Sequence, residues 1–341
     1  MGREAGILQY CITVDGGTTN TRTILWNNAF EECAHAQRQV GIRDVATSQT
    51  KQVLFTAVKE CLEEMLADQK ITYKDISCIL AAGMITSDLG LYQLDHLVGP
   101  VTKEDLAAGM QKIAITEICP VPFWFIPGIK NMGGKIDESN FTKMDMMRGE
   151  EVEMVALMAQ LQPDRECVVV LPGSHSKFIM LDKKQRIVGC LTSLTGELYA
   201  LLVTNSILSS TTNKIFATSD NYNRDMCLLG YKTAKESSVG RAAFSTRILK
   251  NFTGISEIEA TNFLLGVVLS NDISLLEQQA FFGETGQKPL IVLTGKEPFR
   301  QGLYDILKLD APQREVELLE PRCKNMSAQG CFILAKIRGI I

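Results

Sequence analysis

Residues 10–26, Tyr10-Cys-Ile-Thr-Val-Asp15-Gly-Gly-Thr-Thr-Asn20-Thr-Arg-Thr-Ile-Leu-Trp26, read as a strand, a tight polar turn and a returning strand, with one carboxylate where the first strand ends. Cys11 to Val14 is an apolar, β-rich run, and Gly16-Gly17 lets the backbone turn with positive φ and approach an anion closely. Thr18, Thr19 and Asn20 offer hydroxyl, amide and backbone N–H groups to phosphate oxygens. Asp15 can hold a divalent ion directly or through water, because magnesium prefers oxygen ligands and keeps several waters. The turn is suited to a nucleotide triphosphate, although an ordinary Asp-Gly hairpin reads the same way in isolation.

The same plan restarts further along the chain. Cys167–Leu171 is a valine-rich strand, Pro172-Gly-Ser-His-Ser-Lys177 a polar turn and Phe178–Leu181 the returning strand; Arg186–Leu191 supplies a third before a helix at Glu197–Leu208. In the first half, strands at Cys11–Val14 and Arg22–Trp26 and a third around His35–Ile42 precede a helix over Gln52–Leu66. There Leu54, Val58, Cys61, Leu62 and Met65 recur at helical spacing. Ile76–Ala81 is the next buried strand and delivers Ala82-Gly83-Met84-Ile85-Thr86-Ser87 at its carboxyl end, where ligands of open α/β sheets collect. Leu94–Thr142, with Pro100, Pro120, Pro122, Pro127 and Gly133-Gly134, reads as irregular structure inserted in the first domain, a place to build substrate-specific contacts.

A helix beginning near Glu150 ends at Gln162-Pro163-Asp164, which marks the expected boundary between domains of residues 1–164 and 165–341. Leu290–Thr294, running into Gly295, and helices near Phe299–Leu307 and Ser327–Ile337 are expected to complete the second domain. The expectation is an α/β protein of two similar domains, an ancient duplication with a cleft between the copies.

Composition agrees with a two-domain globular chain: 341 residues, 45% hydrophobic and 22% charged. The formal net charge of -4 leaves no basic stripe to replace condensed counterions, which argues against nucleic acid as a partner. The 10 cysteines stand singly, without CxxC or metal-ligand spacing, and read as reduced small hydrophobes. Met1 to Gly6 lacks an apolar signal core and no hydrophobic run reaches membrane length, so a cytoplasmic location with no membrane partner is expected. With 3 histidines, His35, His96 and His175, a multi-histidine metal site is not expected.

Two such turns facing one another could hold β- and γ-phosphates from both sides, an arrangement suited to phosphoryl transfer, where catalysis is mostly positioning and charge stabilisation. Gly173, Ser174 and Ser176 would form the second cradle, with His175 and Lys177 adding donors or positive charge; a turn histidine bonded to backbone is the plainer reading of His175. An acceptor hydroxyl needs a base, and Met147-Arg148-Gly149-Glu150-Glu151 offers carboxylates at a helix start. Acids there also simply complement the helix dipole. Arg148 beside them can take a substrate carboxylate bidentately. Ala82–Ser87 and Thr195-Gly196-Glu197 are further strand-end clusters that also read as turn or helix cap.

Five motifs fall in one order: Asp15-Gly-Gly-Thr-Thr-Asn-Thr-Arg22, Ala82-Gly-Met-Ile85, Met147-Arg-Gly-Glu-Glu151, Leu171-Pro-Gly-Ser-His-Ser-Lys177 and Leu194-Thr-Gly-Glu-Leu198. Together they resemble the 2-keto-3-deoxygalactonokinase family of the actin-like, sugar kinase and heat-shock ATPase superfamily. The resemblance implies two actin-like, ribonuclease H-like domains and an ATP-dependent kinase that phosphorylates the 6-hydroxyl of 2-dehydro-3-deoxy-D-galactonate in galactonate breakdown. It makes Asp15 the organiser of Mg2+, Gly16, Gly17, Thr18, Thr19 and Asn20 the first phosphate motif, and Gly173 to Lys177 the second. Gly149-Glu150 sits where related carbohydrate kinases place a Gly-Asp pair, which implies Glu150 as catalytic base with Glu151 its rival. Arg22 and Arg148 become candidates for the substrate carboxylate, with Gly83 and Met84 beside the substrate.

Two departures are visible. The second turn lacks the leading aspartate common in the superfamily, and the adenosine-loop-like Leu293-Thr-Gly295-Lys-Glu297 carries Lys-Glu where small residues are expected. The implied partners are ATP, a sugar acid and, as a general expectation, a second copy of the chain. Other kinases on this scaffold and a non-catalytic nucleotide or sugar sensor are the competing readings. The absence of a helix-turn-helix extension and of a basic face speaks against the sensor. A chaperone-type ATPase is disfavoured for want of a peptide-binding appendage.

Overall fold

A computed structural model describes residues 10–161, 165–277 and 288–341. Cys11–Val14 is buried throughout, as befits a central strand covered on both faces, and it lies within β1 (Tyr10–Gly16). β2 (Thr21–Trp26) and β3 (Glu32–Arg38) continue an antiparallel meander. The third strand therefore starts earlier than expected, and Ile42 opens a short helix instead, α1 (Ile42–Ser48). α2 (Gln52–Gln69) buries Leu54, Val58, Cys61, Leu62 and Met65, the five residues whose spacing announced it. β4 (Ile76–Gly83) then pairs parallel to β1, placing Ala82 beside Asp15 and Gly83 beside Gly16.

The following segment is less irregular than its prolines imply. After β5 (Leu97–Val98) come α3 (Lys103–Gly109), capped by Thr102, and β6 (Gln111–Ile113) and β7 (Phe123–Phe125), which extend the first sheet to the order β3-β2-β1-β4-β7-β6. Phe123 and Phe125 stack at 5.8 Å between ring centroids, with both rings fully buried, which explains why this proline-rich stretch still gives a strand. β5 joins β8 (Ile129–Lys130) and β9 (Met146–Met147) in a small sheet that leads directly into α4 (Glu150–Leu161). The expected boundary at Gln162-Pro163-Asp164 lies outside the described residues.

The second sheet is built from β10 (Cys167–Leu171), β11 (Ser176–Leu181) and β12 (Ile187–Ser193). α5 (Thr195–Asn205), α6 (Ser209–Thr212), α7 (Arg224–Glu236), α8 (Val239–Thr253) and α9 (Glu257–Glu277) follow. β13 (Leu290–Leu293), α10 (Phe299–Asp310) and β14 (Val316–Leu318) complete the order β12-β11-β10-β13-β14. Its core order repeats that of the first sheet: an antiparallel meander whose first strand is extended by a later parallel one. The two α/β halves thus share the strand plan expected of actin-like domains.

Contacts divide the described chain into one unit of 10–161, Gln185–Gly189 and Pro321–Ile341, and a second drawn from 165–184 and Cys190–Glu320. One expectation is corrected by this division. The closing helix α11 (Met326–Arg338), assigned above to the second domain, packs on α4, α3 and β4 of the first unit. Gly330 permits it: a Cβ there would stand 1.9 Å from Val152 O. Phe332 then meets Trp26 edge-on at 5.2 Å.

Candidate functional site

The β1–β2 turn is held from behind by the start of α1. Gly17 N donates to Asn20 O at 2.8 Å, closing the turn, and the amides of Ile42 and Arg43 donate to Gly17 O and Thr18 O at 3.3 and 3.0 Å. Only glycine fits at position 41, where a Cβ would lie 2.5 Å from Thr18 O. The carbonyls of Gly17, Thr18 and Asn20 are occupied, whereas the amides of exposed Thr18 and Thr19 make no hydrogen bond among the described residues. Asn20 is steadied by Gln37 Nε2 at 3.2 Å and its own amide donates to Thr19 Oγ1 at 2.9 Å. Consecutive backbone N–H groups left without a partner are chemically able to take an anion.

Asp15 stands half-buried at the end of β1, and its carboxylate accepts no hydrogen bond among the described residues. Burial pushes its pKa up; Arg22, its cross-strand partner, pulls it down and Glu150 pushes it up again. Gly83 leaves room for this carboxylate: its φ is +84°, and a Cβ would lie 2.7 Å from Gly16 O and 3.1 Å from Asp15 Oδ1. Gly149, with φ +108°, backs onto Gly83, so that a Cβ there would lie 3.4 Å from Gly83 Cα. Strand end, turn and the start of α4 are thereby brought together in one unit, and half-buried Met84 follows Gly83 directly.

The two glutamates separate cleanly. Glu151 is fully buried, both its oxygens accept from Gly149 N at 2.9 and 2.7 Å, and burial pushes its pKa to about 8. It is sealed inside the helix start. Glu150 is half-buried, and its carboxylate has no hydrogen bond or ion pair among the described residues.

Arg148 is occupied. Its fork donates to Thr86 Oγ1 at 2.6 Å and to Leu94 O, and lies 3.3 Å from His96 Nδ1. Thr86 in turn donates to Gly83 O at 3.0 Å, which links the guanidinium to the glycine beside Asp15. His96 is held neutral, its pKa depressed to about 4 by burial and then by Arg148 and Lys130. Arg22 is exposed and its guanidinium makes no hydrogen bond among the described residues.

The second turn has an equivalent brace. Glu197 N donates to Ser174 O at 2.9 Å, the Glu197 carboxylate meets His175 Nε2 at 3.0 Å, and Gly196 lies so close that a Cβ would stand 2.2 Å from Gly173 O. Ser174 and His175 are exposed. Lys177 is drawn inward instead, buried with Nζ donating to Thr192 Oγ1 at 2.7 Å, so its ammonium is not presented at the turn. Gly295, with φ +100°, packs against Pro172 at the neighbouring strand end.

The sequence did not point to His96 or to Gly128, whose missing Cβ makes room for Arg148 Cγ and His96 Cδ2, each at 2.8 Å from where it would stand. Nor did it point to Asp272, a fully buried carboxylate beside the second turn. A signal existed for Asp272: it is the one acid in the otherwise apolar or neutral run Phe263–Leu276.

The model of the 2-keto-3-deoxy-galactonokinase family matches residues 15–318. A Sinorhizobium meliloti structure assigned as a 2-dehydro-3-deoxygalactonokinase has the same fold, with a TM-score of 0.72 at 20% identity over 95% of this chain and 98% of that one. The activator of 2-hydroxyisocaproyl-CoA dehydratase from Clostridium difficile, with bound ADPNP, aligns at TM-score 0.47 and 12% identity over 97% of this chain and 96% of that one. Glucokinase from Balamuthia mandrillaris, in complex with glucose, aligns at 0.42 and 12% over 96% and 94%. No curated protein matches the sequence. The matched region runs from the carboxylate of the first turn to the end of β14 and takes in both turns and the Arg148–Glu151 junction, so this chain belongs to the 2-keto-3-deoxy-galactonokinase family.

Proposed function

We propose that the protein transfers the γ-phosphoryl group of Mg-ATP to the 6-hydroxyl of 2-dehydro-3-deoxy-D-galactonate. The observation that carries this reading is the pair Asp15 and Glu150: two carboxylates of one unit, neither engaged in a hydrogen bond among the described residues, at a junction of glycines 16, 83 and 149. Glu150 accepts the proton of the substrate hydroxyl while its oxygen bonds to the γ-phosphorus. The bond from that phosphorus to the β,γ-bridging oxygen breaks, and ADP leaves with the electron pair.

Asp15 fits magnesium. Its carboxylate oxygens have no hydrogen-bond partner among the described residues, which suits an ion that takes one or two carboxylates, retains waters and binds phosphate. The ion would supply charge neutralisation at the phosphates. Thr18, Thr19, Asn20 and Gly16-Gly17 would hold phosphate from the first turn, Gly173, Ser174, His175 and Ser176 from the second, and Gly295 would border the nucleoside. Exposed Arg22 is suited to the sugar-acid carboxylate, and Arg148 to fixing the wall behind it together with Gly83 and Met84. An ADP-release assay with 2-dehydro-3-deoxy-D-galactonate, its gluconate epimer and a set of aldonates tests the proposal. Turnover confined to a neutral sugar, or none with any sugar acid despite ATP binding, overturns it.

A further inference from the structure

α9 carries one carboxylate, Asp272, into the interior of the second unit, where it is fully buried. A lone buried carboxylate is costly unless it is held by donors. Here the donors are hydroxyls: Thr195 Oγ1 donates to Asp272 Oδ1, and Ser193 Oγ meets Thr195 Oγ1 at 2.7 Å. Burial pushes the Asp272 carboxyl up, while the hydroxyls of Thr195, Ser193 and Ser176 pull it down. Ser176 lies near enough to act on the carboxylate, yet Ser176 Oγ and Asp272 Oδ2 are both sealed from solvent without a hydrogen bond of good geometry among the described residues.

The positions of these hydroxyls matter more than their number. Ser176 is the first residue after the Pro172–His175 turn. Thr195 opens α5, whose next two residues brace the turn: Gly196 against Gly173 O, and Glu197 on Ser174 O and His175. A single carboxylate thus faces both the exit of the turn and the helix that presses on it. The turn itself, Pro172 to Lys177, contains none.

We propose that Asp272 is the positioning residue of the second turn, a carboxylate delivered from a distant helix that fixes α5 and the start of β11 in the arrangement that binds phosphate. The link to phosphate rests on the kinase reading above; the effect on the turn does not. The test compares Asp272→Asn, Thr195→Val and the conservative Thr195→Ser by amide hydrogen exchange of the protein without ligand. In Asp272→Asn and Thr195→Val, amides of 173–177 and 194–198 should exchange roughly tenfold faster, the size expected for losing a hydrogen bond to a charged group. Thr195→Ser should restore protection, and α2 should be unaffected. KM for ATP should rise by a similar factor with KM for the sugar acid unchanged. Unchanged exchange at the turn, acceleration spread equally over α7 and α8, or global unfolding of both disruptive variants overturns the inference. A looser turn in variants of a protein that phosphorylates no sugar acid upholds it while refuting the kinase reading.

Discussion

Both oxygens of Glu151 accept from the one backbone N–H of Gly149, at 2.9 and 2.7 Å, inside a fully buried helix start. Burial raises its pKa from 4.5 to about 8, so the folded protein holds this proton more tightly than the unfolded chain. Between those values the native state binds more protons, and the contribution of Glu151 to stability therefore falls as pH rises from about 4.5 to about 8, then levels. Glu151→Gln, neutral throughout, should lack this fall. Urea unfolding of the two proteins at pH 5 and pH 8.5 checks it, and a difference in stability that is the same at both pH values would falsify the assignment.

Glu150, one residue earlier, is half-buried and has no hydrogen bond or ion pair among the described residues. As a general base it should be worth roughly 10²–10⁴ in rate. Glu150→Gln is expected to lower kcat by that order while changing KM for ATP less than about threefold, since a base acts in the chemical step. Steady-state kinetics with saturating sugar acid decides the matter. Near-normal kcat removes Glu150 from the mechanism.

Asp15 pays for its position through burial, which raises its pKa. Replacing it by asparagine keeps the shape and removes the buried charge, so Asp15→Asn should melt at or above the wild-type temperature while turnover drops by at least ~10²-fold, as for loss of a charge-stabilising group. Thermal denaturation beside ADP release separates the two effects. A variant that unfolds, or one that turns over normally, contradicts the role given to Asp15.

What could be read from the sequence follows from how local each signal is. The strand-turn-strand of residues 10–26 and its restart at Cys167 are local, and both are present, although neither Gly16 nor Gly17 takes the positive φ expected of it. Which of Glu150 and Glu151 is buried was not legible, because consecutive helix residues are turned about 100° apart and only the packing around Gly149 decides it. The destination of α11 was equally hidden: its apolar residues suit any core, and the fit of Gly330 against Val152 selects the first unit. α9 is buried around most of its circumference and shows no amphipathic period, which masked both the helix and the meaning of Asp272 within it. The partners of Arg148, Leu94 and His96, lie more than fifty positions away, and no spacing rule reaches them.

That last set of contacts makes Arg148 a brace between β4's end and the loop around Leu94. A lysine there keeps the charge but cannot reach Thr86 Oγ1, Leu94 O and the His96 ring together, because its single ammonium lacks the planar fork. Arg148→Lys should therefore cost about 1–3 kcal/mol of stability, the scale for leaving buried polar groups unpaired. His96 should respond as well. The nearby charge is retained at a different distance, and burial remains the larger cause of its depression, so its pKa should stay below the ordinary 6.5. If the brace shapes the sugar-acid wall, KM for the sugar acid should rise about tenfold with KM for ATP unchanged. Denaturant unfolding and two-substrate kinetics on the same preparation test this. An equal rise in both KM values would mean that Arg148 supports the unit as a whole rather than the wall behind the substrate.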